Sequence, residues 1–304
     1  MGLFKKRDNS NFIKNKKVKL GFAFGGGALR GIGYIGVIKA FEELGIKADY
    51  VAGTSVGSIF GALYTAGISS SQMLSEIAKL KVKDIKDSRL LWKPSKPENI
   101  EEVLIKVFQK DLMFSELQIP LSIVAVDICQ GKEVDITSGS VSKASSGSSA
   151  VPGVFSPVVY GDMHLVDGGL QNNVPADVVR AMGANVVIAI DVNKSRGMGT
   201  NSLKIMDVLK ASLGIIMQAN VEKKLEDADI VITPELDKFS ASKLGEIEPM
   251  VQAGYDAIMS RKEEIFKLIS NKPRLKLHKL AQKLKKAREK NKMHMRMKDE
   301  KENV

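Results

Sequence analysis

Residues 49–67 read DYVAGTSVGSIFGALYTAG. A short apolar run ends at Gly53, a serine follows at 55, and a largely apolar segment without a charged residue runs from Val56 to Ala66. The pattern predicts a strand, a tight turn and a helix, with Gly53 and Gly57 bracketing Ser55. G-x-S-x-G at such a junction strains the backbone, lifts the serine hydroxyl clear and lets neighbouring chains approach at the glycines. A glycine-lubricated turn inside a packed α/β core would use the same residues.

The strand-then-helix alternation extends in both directions. Strand-like runs occur at 18–24 (VKLGFAF), 49–53, 120–128 (PLSIVAVDI), 185–192 (NVVIAIDV) and 228–234 (ADIVITP). Helical patterns cover about 30–44, 56–67, 97–110, 175–182, 203–225 and 246–269. This alternation predicts an α/β fold with a mainly parallel sheet covered on both faces. No repeat or Pro/Gly linker interrupts 18–270, so one domain is expected there, between a basic arm (1–17) and a lysine-rich tail (271–304), partly helical or disordered.

Composition narrows the function classes. With 304 residues, 44% of them hydrophobic, the chain can fill a large core. The single cysteine, Cys129, excludes an internal disulfide, and no Cys/His cluster has metal-ligand spacing, so a cytoplasmic protein without structural zinc is expected. No apolar run approaches the roughly 18 residues of a membrane span, and the basic N-terminus lacks the apolar core of a secretory signal. The Met-Gly start is not a myristoylation signal, because Lys6 stands where Ser or Thr is required. The net charge of +11 is concentrated at the ends: residues 20–269 hold 26 basic against 30 acidic residues. Basic arms on a mildly acidic body suit an anionic membrane surface; no nucleic-acid motif accompanies the lysines, so no nucleic-acid partner is expected.

Two further constellations carry chemistry. In FGGGALRGIGYIGVIKAF (24–41), Gly25, Gly26 and Gly27 follow the first strand and open the first helix, where consecutive N–H groups can converge on an anion. Arg30 opposes the helix dipole there, which suits a residue that meets an anion or holds the loop; a solvated arginine is the alternative. In HLVDGGLQNNVP (164–175), Asp167 ends a short strand and two glycines leave its carboxylate uncrowded, although Asp-Gly-Gly alone is more often a turn.

With GGGALRG, GTSVG and VDGG in this order, and SSAVPGVFSPV (148–158) between the last two, the chain resembles the patatin-like phospholipase family over about residues 18–235. The resemblance implies a three-layer α/β/α fold and a serine lipid acyl hydrolase using a Ser–Asp dyad. Ser55 would be the nucleophile, Asp167 the base, and Gly25, Gly26, Gly27 and Arg30 the oxyanion loop. It implies a lipid ester substrate and no cofactor. An Asp in water, with a pKa near ~3.9, is a feeble base towards a hydroxyl, so partial burial of Asp167 is expected.

Three other readings compete. A Ser-His-Asp triad would draw on His278, which follows Ser55 and Asp167 in the order of the α/β-hydrolases. Dinucleotide binding is suggested by GIGYIG (31–36) with Asp49 beyond it, although these glycines fall inside the expected helix, where they serve close packing. A non-catalytic membrane or nucleic-acid binder on the same fold is the third. The helical segments around 70–112, which include LLWKP (90–94) and the only tryptophan, interrupt the alternation and are expected to border the acyl pocket or act as a lid.

Overall fold

A computed structural model describes residues 18–79, 98–193, 204–219, 221–239 and 246–270. The chain divides into two compact units, Met1–Lys262 and Glu263–Val304. LLWKP, His278 and both basic ends lie outside the described residues.

In chain order the strands are β1 (Leu20–Phe24), β2 (Tyr50–Thr54), β3 (Leu121–Asp127), β4 (Lys132–Ile136), β5 (Val158–Tyr160), β6 (Met163–Asp167), β7 (Val186–Ile190) and β8 (Ile230–Ile232). Among the described residues the helices of the first unit are α1 (Gly33–Glu43), α2 (Val56–Thr65), α3 (Ser70–Lys79), α4 (Glu98–Phe108), α5 (Val141–Ser148), α6 (Ala176–Ala181), α7 (Ile205–Ala219), α8 (Val221–Leu225) and α9 (Ile247–Met259). Helix α10 (Lys262–Ser270) holds the described part of the second unit.

Among the described residues, eight strands join one sheet in the order β5-β6-β3-β2-β1-β7-β8, with β4 also paired to β3. The run β3-β2-β1-β7-β8 is parallel, as the strand–helix alternation predicts. The antiparallel β4, β5 and β6 extend it. Side-chain alternation along β1 shows why both faces are buried. Phe22 and Phe24 enter an aromatic cluster with Tyr34, Phe41 and Tyr64. Ala23 points the other way, into a small-residue layer with Ala52, Val124, Val179, Val187 and Ala189.

The first helical pattern begins with a 3-10 turn at Ala28–Ile32 before α1, and the pattern at 203–225 resolves into α7 and α8. Sequence periodicity does not anticipate α5, β4 or β5. Helix α5 (VSKASSGS) is serine-rich yet almost wholly buried, so it carries no apolar stripe for a periodicity to find.

The glycines of GIGYIG are used up in helix packing. A Cβ at Gly36 would strike the backbone of Val251 and one at Gly254 the backbone of Gly33, so α1 and α9 cross at backbone contact. Asp49 lies before β2, where Oδ2 accepts from Leu20 N at 2.8 Å, at the opposite end of the sheet from the glycine loop. That placement removes the geometry a dinucleotide site needs.

Candidate active site

Ser55 lies between β2 and α2 with φ 52° and ψ −127°, a left-handed backbone setting that side-chain-bearing residues rarely adopt. The glycines around it fit the close approaches expected of them. A Cβ on Gly57 would strike Phe24 O, and one on Gly53 would sit 2.5 Å from Gly57 O. A contact the sequence did not reveal holds the strained turn: Ser55 N donates to Ser148 Oγ at 2.8 Å, and that hydroxyl donates to Val124 O at 2.5 Å. Ser148, at the end of α5, thereby ties the serine to β3.

Sheet register brings Asp167 to Ser55. Thr54 on β2 pairs with Val124 of β3, and Asp167 on β6 pairs with Ala125, the next residue. Because β4 overlaps both registers, it must occupy the other edge of β3, leaving β2 and β6 to share one edge. The strands run towards each other along that edge, so their C-terminal ends, Thr54-Ser55 and Asp167, converge.

Asp167 is 1% exposed. Its Oδ1 accepts from Gly169 N at 2.8 Å, and its carboxylate accepts a hydrogen bond from the Ser55 side chain. Burial pushes its pKa up to about 6, partly offset by those two hydrogen bonds. His164 sits three residues earlier on the same strand, an odd spacing that sends its side chain to the other face of the sheet, and it is exposed. Among the described residues, Ser55 therefore meets a carboxylate and no imidazole.

The glycine loop reaches the serine, since a Cβ on Gly26 would lie 3.2 Å from Ser55 Cβ. Its amides are not equivalent, which corrects the expectation of three converging donors. Gly25 N donates to Ile190 O at 3.1 Å and Gly26 N to Asn173 O at 3.0 Å, stitching the loop to the end of β7 and to the segment after Asp167. Among the described residues, the N–H groups of Gly27, Ala28 and Val56 have no hydrogen-bond partner. Arg30 Nη1 donates to Asn193 Oδ1 at 2.7 Å, so this arginine braces the loop against the chain after β7.

Two asparagines missed at the level of sequence complete the surround. Asn173 Nδ2 donates to Gly26 O at 3.4 Å, while its Oδ1 would contact a Cβ on Gly26 or Gly169. Asn172 accepts from Thr54 Oγ1 at 2.8 Å through its carbonyl, and its side-chain Nδ2 donates to Glu133 at 2.7 Å and Asp177 at 2.9 Å. Lys224 bridges the same two carboxylates at 3.1 and 2.6 Å. A local sequence signal existed only in the pair Asn172-Asn173 following Asp-Gly-Gly; the partners come from β4, α6 and α8.

Residues 22–180 match the family described as patatin-like phospholipase. Mouse patatin-like phospholipase domain-containing protein 6 is 29% identical over 286 residues, covering 81% of this chain and 21% of the relative. Lysophospholipase NTE1 of Mycosarcoma maydis is 32% identical over 186 residues, covering 58% of this chain and 10% of that protein. The chain thus spans about a fifth or less of the length of these two curated relatives. Among solved structures, VipD from Legionella pneumophila superposes with a TM-score of 0.52 at 14% identity, covering 80% of this chain and 66% of that one, a likeness of fold.

Proposed function

We propose that this chain, which belongs to the patatin-like phospholipase family, hydrolyses the carboxylic ester of a phospholipid or lysophospholipid through Ser55 and Asp167. The observation that carries the reading is the hydrogen bond from Ser55 to a fully buried carboxylate whose pKa is pushed up to about 6. A carboxylate relieved of its hydration is a stronger base than one in water, and a pKa of about 6 leaves it ionised at neutral pH.

Ser55 Oγ attacks the acyl carbonyl as its proton passes to Asp167. The carbonyl oxygen gains the negative charge, and the unengaged N–H groups of Gly27, Ala28 and Val56 supply donors for it, assisted by the N-terminus of α2. Collapse of this intermediate breaks the ester C–O bond, and protonated Asp167 returns the proton to the leaving alcohol. Water then attacks the acyl-serine, giving its proton to Asp167, and the fatty acid leaves as the proton returns to Ser55 Oγ. Gly25, Gly26 and Arg30 serve by holding the loop rather than by donating to the oxyanion.

The catalytic body would extend over 18–270. Among the described residues no helix is long and apolar enough to cross a membrane. The basic ends read from the sequence would hold the enzyme to an anionic membrane surface, in the cytoplasm or on the inner face of the membrane.

The test is hydrolysis of a short-chain p-nitrophenyl ester and of phosphatidylglycerol-containing vesicles by wild type, Ser55→Ala, Asp167→Asn and His164→Ala. Loss confined to the Ser55 and Asp167 variants is the expected result. Loss in His164→Ala comparable to that in Ser55→Ala would overturn the dyad, and a wild type inactive on both substrates would overturn the hydrolase reading.

A further inference from the structure

Four of the large apolar side chains exposed among the described residues belong to one helix, α7: Ile205 (83% exposed), Val208 (45%), Ile215 (62%) and Ile216 (50%). At 3.6 residues per turn these positions, with Ser212, fall on a single stripe about 100° wide. Ser212 adds little polarity to it, because its hydroxyl donates back to Val208 O at 2.9 Å. Met217 projects from the opposite side of the helix. Its Cε would lie 3.0 Å from a Cβ on Gly169, the same distance as Asp167 Oδ1. Helix α7 therefore rests on the loop after Asp167 with Met217 inward and an aliphatic stripe outward.

Asp207 and Gln218 fall on the remaining side, so α7 is amphipathic with an apolar face broader than the contact Met217 makes, and such a face is ordinarily buried. Here the outer part of that face is open, on a helix that rests on the loop after Asp167. We propose that the outer face of α7 docks into the acyl-chain layer of a lipid aggregate, setting the Ser55–Asp167 site against its substrate; this rests on the lipid-hydrolase reading above. The chemistry of the stripe favours lipid over a protein partner. It is branched aliphatic, without the Tyr, Trp or Arg anchors around which protein interfaces concentrate their binding energy. It also begins beside an exposed lysine, Lys204, suited to the headgroup level. This docking is apolar, and therefore separable from electrostatic attachment through the basic ends.

Sedimentation with phosphatidylcholine vesicles at about 0.5 M salt, where surface electrostatics are screened, isolates the apolar contribution. The protein is full-length Ser55→Ala, so that turnover does not consume the vesicles, compared with the same protein carrying Ile205→Gln, Val208→Gln, Ile215→Gln and Ile216→Gln. Partitioning is expected to fall at least about tenfold in the fourfold variant. With Ser55 restored, vesicle hydrolysis falls in parallel while cleavage of monomeric p-nitrophenyl butyrate stays within about twofold of wild type, since no step of the chemistry involves the stripe. If the fourfold change unfolds the chain, Ile216→Gln alone decides, with an expected loss of about threefold. Equal partitioning of variant and parent, or no partitioning by the parent, refutes the proposal. So does light scattering that shows the parent to be a dimer and the variant a monomer, which would make α7 a subunit contact. If vesicles are bound through α7 but no ester is cleaved, the hydrolase reading fails and the docking surface stands.

Discussion

Replacing Asp167 by Asn should abolish hydrolysis and make the protein more stable, by an amount that depends on pH. Burial raises the Asp167 pKa from 3.8 to about 6. A raised carboxylate pKa means that the folded chain holds this proton more tightly than the unfolded chain does. Between about pH 4 and 6 the native state carries more bound protons, so its stability falls as pH rises through that window. Above about pH 6 the full cost is present. A shift of a little over two units, at about 1.4 kcal/mol each, comes to about 3 kcal/mol. Asn removes this cost, because it is neutral at every pH, and its Oδ1 can still accept from Gly169 N. The assay is urea unfolding of both proteins in a series of buffers between about pH 4 and 8, with the difference in unfolding free energy plotted against pH. The Asp167→Asn protein should gain about 3 kcal/mol at the alkaline end and nothing at the acid end; other titrating groups cancel in the difference. A pH-independent difference, or a variant less stable than wild type at pH 8, would refute the buried, destabilised carboxylate. The same titration predicts that kcat/KM of wild type rises with pH through about 6, as the base form is populated.

Three further outcomes follow from the geometry. Ser55→Gly should be more stable than Ser55→Ala by about 1 kcal/mol in thermal or urea melts, because the φ of 52° strains any residue bearing a Cβ. Lys224→Met leaves the facing carboxylates of Glu133 and Asp177 without their cation and should cost about 2 kcal/mol in unfolding free energy; through Asn172 it should also lower kcat more than it raises KM. Gly36→Ala forces a methyl into the backbone of Val251 and should cost about 3 kcal/mol in the same melts, while the residual folded protein keeps its specific activity, since the clash is confined to the crossing of α1 and α9.

Much of the site was legible because its parts are local. Gly53-x-Ser55-x-Gly57, the Gly25–Gly27 loop and Asp167-Gly168-Gly169 each announce a backbone conformation through residues that tolerate it, and each occupies the place its flanking strand and helix predict. The roles within the glycine loop were not legible. Which amide is free depends on whether Ile190 and Asn173 present carbonyls to it, and those residues lie far along the chain. Ser148 was hidden for a similar reason: one serine in a serine-rich segment looks like any other until its helix is packed against β3.

The sequence by itself determined the strand–helix alternation, both buried faces of the parallel sheet and the three local motifs, around Ser55, Gly25–Gly27 and Asp167, from which the candidate site is built. Hydrophobic period and glycine placement are properties of neighbouring residues, and they survive in a one-dimensional string. Tertiary structure alone decided that β2 and β6 meet end to end on one edge of β3, closing Ser55 onto Asp167. It alone decided that Asp167 is buried with its pKa raised, and that α7 lays Met217 against the loop after Asp167 while turning its isoleucines outward. The reason is physical: strand order, desolvation and which side of an apolar helix finds a partner are set by the packing of segments distant in sequence, and no local pattern of residues carries that information.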